Sequence, residues 1–96
     1  MAELKLISDR KRQLKPLVEA ALKTEMRLLE AGIKRTKNNM REFEERFHLS
    51  SHEFISRHEK DEMKESLDYA DWIGEHRMLE HLKEKVDNLR TIRFSN

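Results

Sequence analysis

Apolar residues recur in two heptad-spaced seams, one in each half of the chain. The first seam alternates steps of four and three residues, and Thr36 is its one polar member. Its apolar members are Leu22, Met26, Leu29, Ile33, Met40, Phe43 and Phe47. This spacing keeps its members on one face of an α-helix and is typical of helices that pack side by side. It predicts a long helix from Pro16 to Phe47, because proline is tolerated in the first helical turn.

The second seam, nearer the C terminus, contains Trp72, Leu79, Leu82, Val86 and Leu89. It predicts a second long helix over about 68–93. Between the seams, Ser50 and Glu53 have the S-x-x-E spacing of a capping box, in which each side chain accepts a hydrogen bond from the other residue's backbone N–H. A short helix over about 51–59 is therefore predicted, followed by an exposed polar turn over 60–68.

Two long helices joined by a short one fold most simply into an antiparallel hairpin, so the predicted fold class is all-α and coiled-coil-like. We divide the chain into a basic N-terminal arm, residues 1–15, and a single helical-hairpin domain, residues 16–96. Gly32 is interpreted as a notch for close packing, with a break into two helices as the alternative. Residues 2–8 fit either a short strand or an extended arm.

The first predicted helix is longer than the second, so its N-terminal part extends past its neighbour. The apolar stripe there is also wider than one neighbouring helix covers. We therefore expect a homodimer, or a partner protein, on this face. The candidate interface residues are Leu14, Leu17, Val18, Ala21 and Leu28.

The composition argues against an enzyme. A chain of 96 residues has little volume for an enclosed pocket, and with no Cys and two Gly it has neither a thiol nucleophile nor a Gly-rich phosphate loop. Glu45 and His48 form one E-x-x-H pair, half of what a di-iron bundle needs, so we expect no metal and no cofactor. The absence of Cys fits a reducing cytoplasm, and no apolar run reaches the roughly 18 residues of a membrane span.

The formal net charge of +1 conceals a separation of charge along the chain. Residues 1–15 carry five basic and two acidic side chains, whereas residues 48–71 carry three basic and seven acidic ones. The acidic stretch fits either a solvated turn or a surface for a basic partner. If the chain contacted nucleic acid, it would do so only through its basic cluster. We do not expect sequence-specific DNA binding from so small a cluster. That cluster consists of Arg10, Lys11, Arg12 and Lys15.

Aromatic residues flank the acidic turn on both sides. Trp72 lies on the second seam and therefore fits a core position, but Trp and Tyr beside acidic residues also fit a binding hot spot. We name eight candidate partner-binding residues on this basis: Phe54, Glu59, Asp61, Glu62, Glu65, Tyr69, Asp71 and Trp72.

Two stretches around the acidic turn match a pattern shared by one class of small helical proteins. Residues 42–55 read E-F-E-E-R-F-H-L-S-S-H-E-F-I, and residues 68–75 read D-Y-A-D-W-I-G-E. They resemble proteins encoded beside a toxin gene in prokaryotic toxin–antitoxin pairs. Those proteins share F-E-x-K/R-F/Y, a capped S-x-x-E-F, an acidic turn and D-x-x-E/D-W-x-G-E.

The resemblance implies an antitoxin without enzymatic activity that binds and neutralises a cognate toxin, a small nuclease-like enzyme. The acidic region over 53–71 would then face the basic, nucleic-acid-binding side of that toxin. The chain departs from many antitoxins in offering no clear DNA-binding domain, which puts repression of its own operon in doubt. A structural coiled-coil protein that mediates helical oligomerisation is the alternative, because the heptad spacing fits it equally well.

Overall fold

The computed structural model describes the backbone of residues 3–5 and 11–95 and the side chains of residues 14–92. Its elements are β1 (Glu3–Lys5), α1 (Lys11–Phe47), α2 (Ser51–Glu59), α3 (Leu67–Arg90) and β2 (Arg93–Ser95). α1 and α3 pack against each other as an antiparallel hairpin, with α2 at the closed end. The molecule measures 59 × 22 × 17 Å. The predicted all-α hairpin of two long helices and one short connecting helix is confirmed.

The hairpin has two ends, which contain different elements. The elbow comprises residues 40–79, where α1 ends, α2 folds across and α3 begins. The terminal end comprises residues 14–33 and 80–92, where α1 begins and α3 ends. The predicted seams face each other along the whole length, since Leu29 and Met40 of α1 and Val86 of α3 are buried. The remaining apolar seam residues of both helices are buried or half-buried.

α1 begins at Lys11 rather than at Pro16, so the predicted start is wrong and residues 11–15 of the predicted arm are helical. The residues before Pro16 are Lys, Arg, Gln, Leu and Lys, which all favour helix. Pro16 therefore lies inside the helix, where it removes one backbone hydrogen bond. α3 ends at Arg90, three residues before the predicted end.

A short parallel pair of strands joins the two ends of the described chain. β1 and β2 align Glu3 with Arg93 and Lys5 with Ser95. Of the two alternatives for residues 2–8, a strand or an extended arm, the structure shows a strand over Glu3–Lys5. The other residues of that stretch lie outside the described ones. β2 was not predicted, because three residues are too few to show an alternating pattern.

Gly32 lies inside an unbroken α1, which confirms the packing notch and excludes the break. A Cβ built on Gly32 would lie 3.2 Å from Leu82 Cδ1 on α3. This is a tight contact, so an alanine at position 32 would require the Leu82 side chain to shift by a few tenths of an ångström.

Both turns of the elbow end a helix in the same way, with a residue in the left-handed region. His48 has φ 52° after α1, and Asp61 has φ 58° after α2. Each position closes a 6→1 backbone hydrogen bond, Leu49 N–H to Glu44 O at 3.2 Å and Glu62 N–H to Arg57 O at 2.9 Å. These Schellman bonds satisfy carbonyls that the helix leaves without partners and fix the direction of the chain.

The predicted start of α2 at Ser51 is confirmed, and so is half of the capping box. Ser50 Oγ accepts from the backbone N–H of Glu53 at 3.1 Å. The Glu53 carboxylate differs from the prediction, because it accepts from Arg57 Nε at 3.0 Å instead. A second cap, in which Ser66 Oγ accepts from the Tyr69 N–H at 3.0 Å, starts α3.

No helix in the described part of the chain is both long and apolar enough to cross a membrane.

Candidate partner-binding surface at the elbow

Every Phe, Tyr and Trp between residues 14 and 92 lies at the elbow. Phe54 of α2 and Trp72 of α3 stack with their ring centroids 4.0 Å apart and their planes 6° apart. Phe43 and Phe47 of α1 stack on the indole at 5.6 and 5.9 Å. The end of α1, the start of α3 and the short α2 therefore share one aromatic core.

Two buried or half-buried hydrogen bonds join the three helices around this core. The Trp72 indole Nε1–H donates to Ser51 Oγ at 2.8 Å. The Ser51 backbone N–H donates to the Glu44 carboxylate at 2.7 Å. This N–H is among the first of α2 and has no partner within its own helix, and the negative charge suits the positive end of the helix dipole. Ser51 is thus the point at which α1, α2 and α3 are linked.

Two of the predicted partner-binding residues cannot contact a partner in this fold. Phe54 and Trp72 have 0% of their surface exposed. The expectation of direct contact is corrected for both, because a side chain without exposed surface meets no partner while the fold is intact. Tyr69 is half-buried, with its ring against Phe47 at 5.3 Å and Phe54 at 5.3 Å.

The predicted acidic residues lie on the surface. Glu59, Asp61, Glu62, Glu65 and Asp71 are all exposed. Among the residues with described side chains, none of these five takes part in an ion pair. Their carboxylates are therefore open to a cation from outside the chain.

Two neighbouring carboxylates at the elbow are paired within the chain. Glu53 binds Arg57 on α2, and Asp68 of α3 binds Arg46 of α1 at 2.5 Å. Arg46 also lies over the ring of Phe47, 5.0 Å from its centroid. The turn between α2 and α3 thus brings Asp61, Glu62 and Glu65 together within five residues, whereas the other described carboxylates at the elbow without an ion pair, among them Asp71, lie on α1, α2 and α3.

A cleft of about 560 Å³ opens beside the turn between α2 and α3. Its apolar wall is formed by Met63, Leu67, Tyr69 and Ile73. Its polar lining includes the acidic Asp61 and Glu65 as well as Lys64 and His58. Leu67 is 85% exposed, the most exposed large apolar side chain between residues 14 and 92. Met63, Leu67 and Ile73 are not among the residues predicted from the sequence to bind a partner.

A second cleft, of about 460 Å³, lies on another side of the elbow, between α1 and α3. Asp71 and Gly74 of α3 line it together with Glu42 and Phe43 of α1. The structure therefore brings Asp61, Glu65 and Tyr69 together in the first cleft and places Asp71 in the second. Glu59 and Glu62 line neither cleft.

The candidate interface at the terminal end is only partly exposed. Leu17 and Leu28 expose 66% and 63% of their surface, and Ala21 is exposed. Leu14 and Val18 are half-buried. Of the predicted basic cluster, Arg10 lies outside the described residues, and Lys11 and Arg12 lie outside the described side chains. Lys15 is half-buried and has a partner.

No three His, Asp or Glu side chains among the described residues come together as metal ligands would. Glu45 and His48 are both exposed, and His48 adopts the left-handed conformation that ends α1. His76 Nε2 lies 3.0 Å from Glu80 Oε1, one turn along α3. This contact is an ordinary pair on the surface of one helix.

No protein-family model matches this chain, and no curated protein or solved structure shows significant similarity to it.

Proposed function

We propose that the protein is an antitoxin of a prokaryotic toxin–antitoxin pair, acting in the cytoplasm. It binds a cognate toxin, a small nuclease-like enzyme, and neutralises it by covering its active surface. The antitoxin itself performs no catalysis. The observation that carries the proposal is the exposed turn between α2 and α3, whose Asp61, Glu62 and Glu65 have no ion-pair partner among the described residues.

Support also comes from where the resemblance pattern lies in the fold. Its two stretches, 42–55 and 68–75, meet at the elbow through the Trp72–Ser51 hydrogen bond and the Arg46–Asp68 ion pair. Phe43, Phe54 and Trp72 of the pattern form the core beneath the turn. The pattern thus describes one structural unit, a rigid support for an acidic surface, rather than scattered similarities.

The proposed mechanism is electrostatic. An enzyme that binds nucleic acid presents basic residues to the phosphate backbone. A cluster of unpaired carboxylates on a fixed turn competes for those residues, speeds association through its field and disfavours acidic partners. Because the carboxylates are exposed, salt should weaken the interaction.

Co-expression tests the proposal. The product of the neighbouring gene should arrest growth when expressed alone, and the wild-type chain should restore growth. A variant with Asp61→Asn, Glu62→Gln and Glu65→Gln should restore it poorly, because the charges that meet the toxin are lost. The matched control removes three exposed carboxylates away from the elbow, with Glu30→Gln, Glu84→Gln and Asp87→Asn, and should rescue like wild type.

Two outcomes contradict the proposal. If the neighbouring gene product does not arrest growth, it is not a toxin. If it arrests growth and the wild-type chain does not restore it, this chain is not its antitoxin. Circular dichroism of both triple variants should match that of wild type, since all six positions are exposed.

Helical oligomerisation is a second candidate function, favoured by the exposed stripe on α1. Leu17, Ala21 and Leu28 recur in steps of four and seven and are all exposed. A second copy of the chain, or a partner helix, would bury this stripe in coiled-coil fashion. We propose a homodimer through this face, compatible with the antitoxin role because the elbow stays free.

Sedimentation velocity at micromolar concentration tests the dimer. Wild type should sediment as a dimer, and Leu17→Glu with Leu28→Glu should sediment as a monomer with unchanged helicity. A wild-type chain that sediments as a compact monomer contradicts the dimer and leaves the elbow proposal standing.

A further inference from the structure

We infer that the cleft beside the acidic turn, lined by Met63, Leu67, Tyr69 and Ile73, binds one bulky apolar side chain of the partner, flanked by lysine or arginine. The inference deepens the proposed function and rests on it. It specifies which part of the elbow makes the contact and which chemistry the partner's segment must have.

The apolar wall of the cleft supplies the first argument. Leu67 begins α3 with 85% of its surface exposed, and nothing in the packing of the hairpin requires a leucine there. A single exposed leucine is common, but this one lines the same cleft as Met63 and Ile73, which are half-buried. A methionine in such a wall adapts its shape to an incoming side chain.

The charge around the cleft supplies the second argument. Asp61 and Glu65 line it together with Lys64 and His58, and residues 58–65 carry four acidic side chains against two lysines. None of these acidic groups pairs with a cation among the described residues. An apolar side chain from the partner would contact the apolar wall but leave the carboxylates without partners. If Lys or Arg lies beside it in the partner, the carboxylates gain ion pairs as well.

The rigidity of the cleft supplies the third argument. One side of the turn is fixed by the Schellman bond from Glu62 N–H to Arg57 O at 2.9 Å, and the other by the Ser66 cap of α3. The Tyr69 ring is held between Phe47 and Phe54. A preformed site loses little conformational entropy on binding, so a single anchor contributes more of its burial energy to affinity.

Binding measurements with the neighbouring gene product test the inference. Leu67→Ser should weaken binding about tenfold, as expected of a central anchor contact. Met78→Ser is the matched control, because Met78 is a 50% exposed apolar residue of α3 that lines none of the elbow clefts. Its effect should stay within about twofold, as for a residue outside the contact.

The charge component has its own variant. Asp61→Asn with Glu65→Gln should slow association about threefold to tenfold and reduce the salt dependence of the dissociation constant. If Leu67→Ser weakens binding but the Asp61→Asn, Glu65→Gln variant leaves the salt dependence unchanged, the partner has no Lys or Arg beside its apolar side chain, which contradicts that part of the inference.

Cross-linking identifies the occupant directly. A photoreactive benzoylphenylalanine in place of Leu67 should capture a partner segment with an apolar residue and at least two Lys or Arg close by. Capture of an acidic or uncharged segment overturns the inference.

The failure of the inference is distinguishable from the failure of the proposed function. If wild type binds and neutralises the toxin but Leu67→Ser does so equally well, the cleft is not the contact and the antitoxin role stands. If wild type does not bind the neighbouring gene product, both fall together.

Discussion

The elbow and the terminal end are built from the same two helices yet are packed very differently. At the elbow α2 crosses α1 and α3, and Phe54 and Trp72 are fully buried. At the terminal end the contact between α1 and α3 buries Leu29 and Val86, but within the described side chains no Phe, Tyr or Trp lies there. On the outer side of α1 there, Leu17 exposes 66% of its surface.

The difference shows what a third packing element adds to a helix pair. The apolar seam of each helix runs through both ends, so periodicity alone does not show which end holds the larger core. Two helices bury only the stripe between them, whereas a helix folded across their end closes a core on a third side. The proposed roles follow this difference: the elbow would present the partner-binding surface, and the terminal end would associate through its exposed apolar residues.

Truncation of the elbow core should have the largest effect. Trp72→Ala removes the indole stacked on Phe54 and leaves the Ser51 hydroxyl without its donor. It should lower the free energy of unfolding by about 3–5 kcal/mol. Leu29→Ala at the terminal end should cost about 2 kcal/mol, because the thinner core can collapse into the space. Urea unfolding followed by circular dichroism measures both, and equal costs would contradict the difference between the ends.

The Glu44 carboxylate should be the next most costly group to remove. Glu44→Ala leaves the Ser51 N–H of a buried residue without an acceptor and should destabilise by about 1–3 kcal/mol. Glu44→Gln retains an acceptor oxygen and should cost less than half as much. The same unfolding assay applies, and two variants of equal stability would show that the hydrogen bond does not matter.

The two helical glycines should respond differently to alanine. Gly74 has nothing within 4 Å of a built Cβ, so Gly74→Ala should stabilise by about 0.5–1 kcal/mol through helix propensity. At Gly32 the same gain is opposed by the Leu82 contact at 3.2 Å, so Gly32→Ala should stabilise less or not at all. A larger gain at Gly32 than at Gly74 in thermal unfolding would contradict the close packing there.

The ion pair between Arg46 and Asp68 should have the smallest effect. Both side chains are roughly half exposed, at 57% and 44%, so solvent screens their attraction. A double-mutant cycle with Arg46→Gln and Asp68→Asn should give a coupling of about 0.5 kcal/mol or less, which salt reduces further. A coupling several times larger would mean that this contact, rather than the aromatic core, closes the elbow.

Local signals explain why α2 could be predicted from the sequence. Its predicted range, 51–59, agrees with the observed Ser51–Glu59, because Ser50 and Glu53 determine its start across three residues. The start of α1 was wrong because Pro16 was treated as a start signal while helix-favouring residues continue before it. A proline near a helix N terminus locates the helix without giving its first residue.

The candidate site was harder to predict because it depends on tertiary contacts. Phe54 and Trp72 were expected at a binding surface, and the aromatic types that form hot spots also form cores. The folding of α2 across α3 decides between these roles. Leu67 was missed because it lies off the α3 seam, and its position in a cleft depends on where the acidic turn runs.

If the acidic turn of the elbow faces the partner, carboxylate footprinting of the complex should show that turn protected. Exposed carboxylates are labelled with a carbodiimide in the free and the partner-bound protein, and each position is read by mass spectrometry. The account predicts that binding strongly reduces labelling of Asp61, Glu62 and Glu65 and leaves Glu30 and Glu84 unchanged. Protection at Glu30 and Glu84 with unchanged labelling of the turn would contradict it.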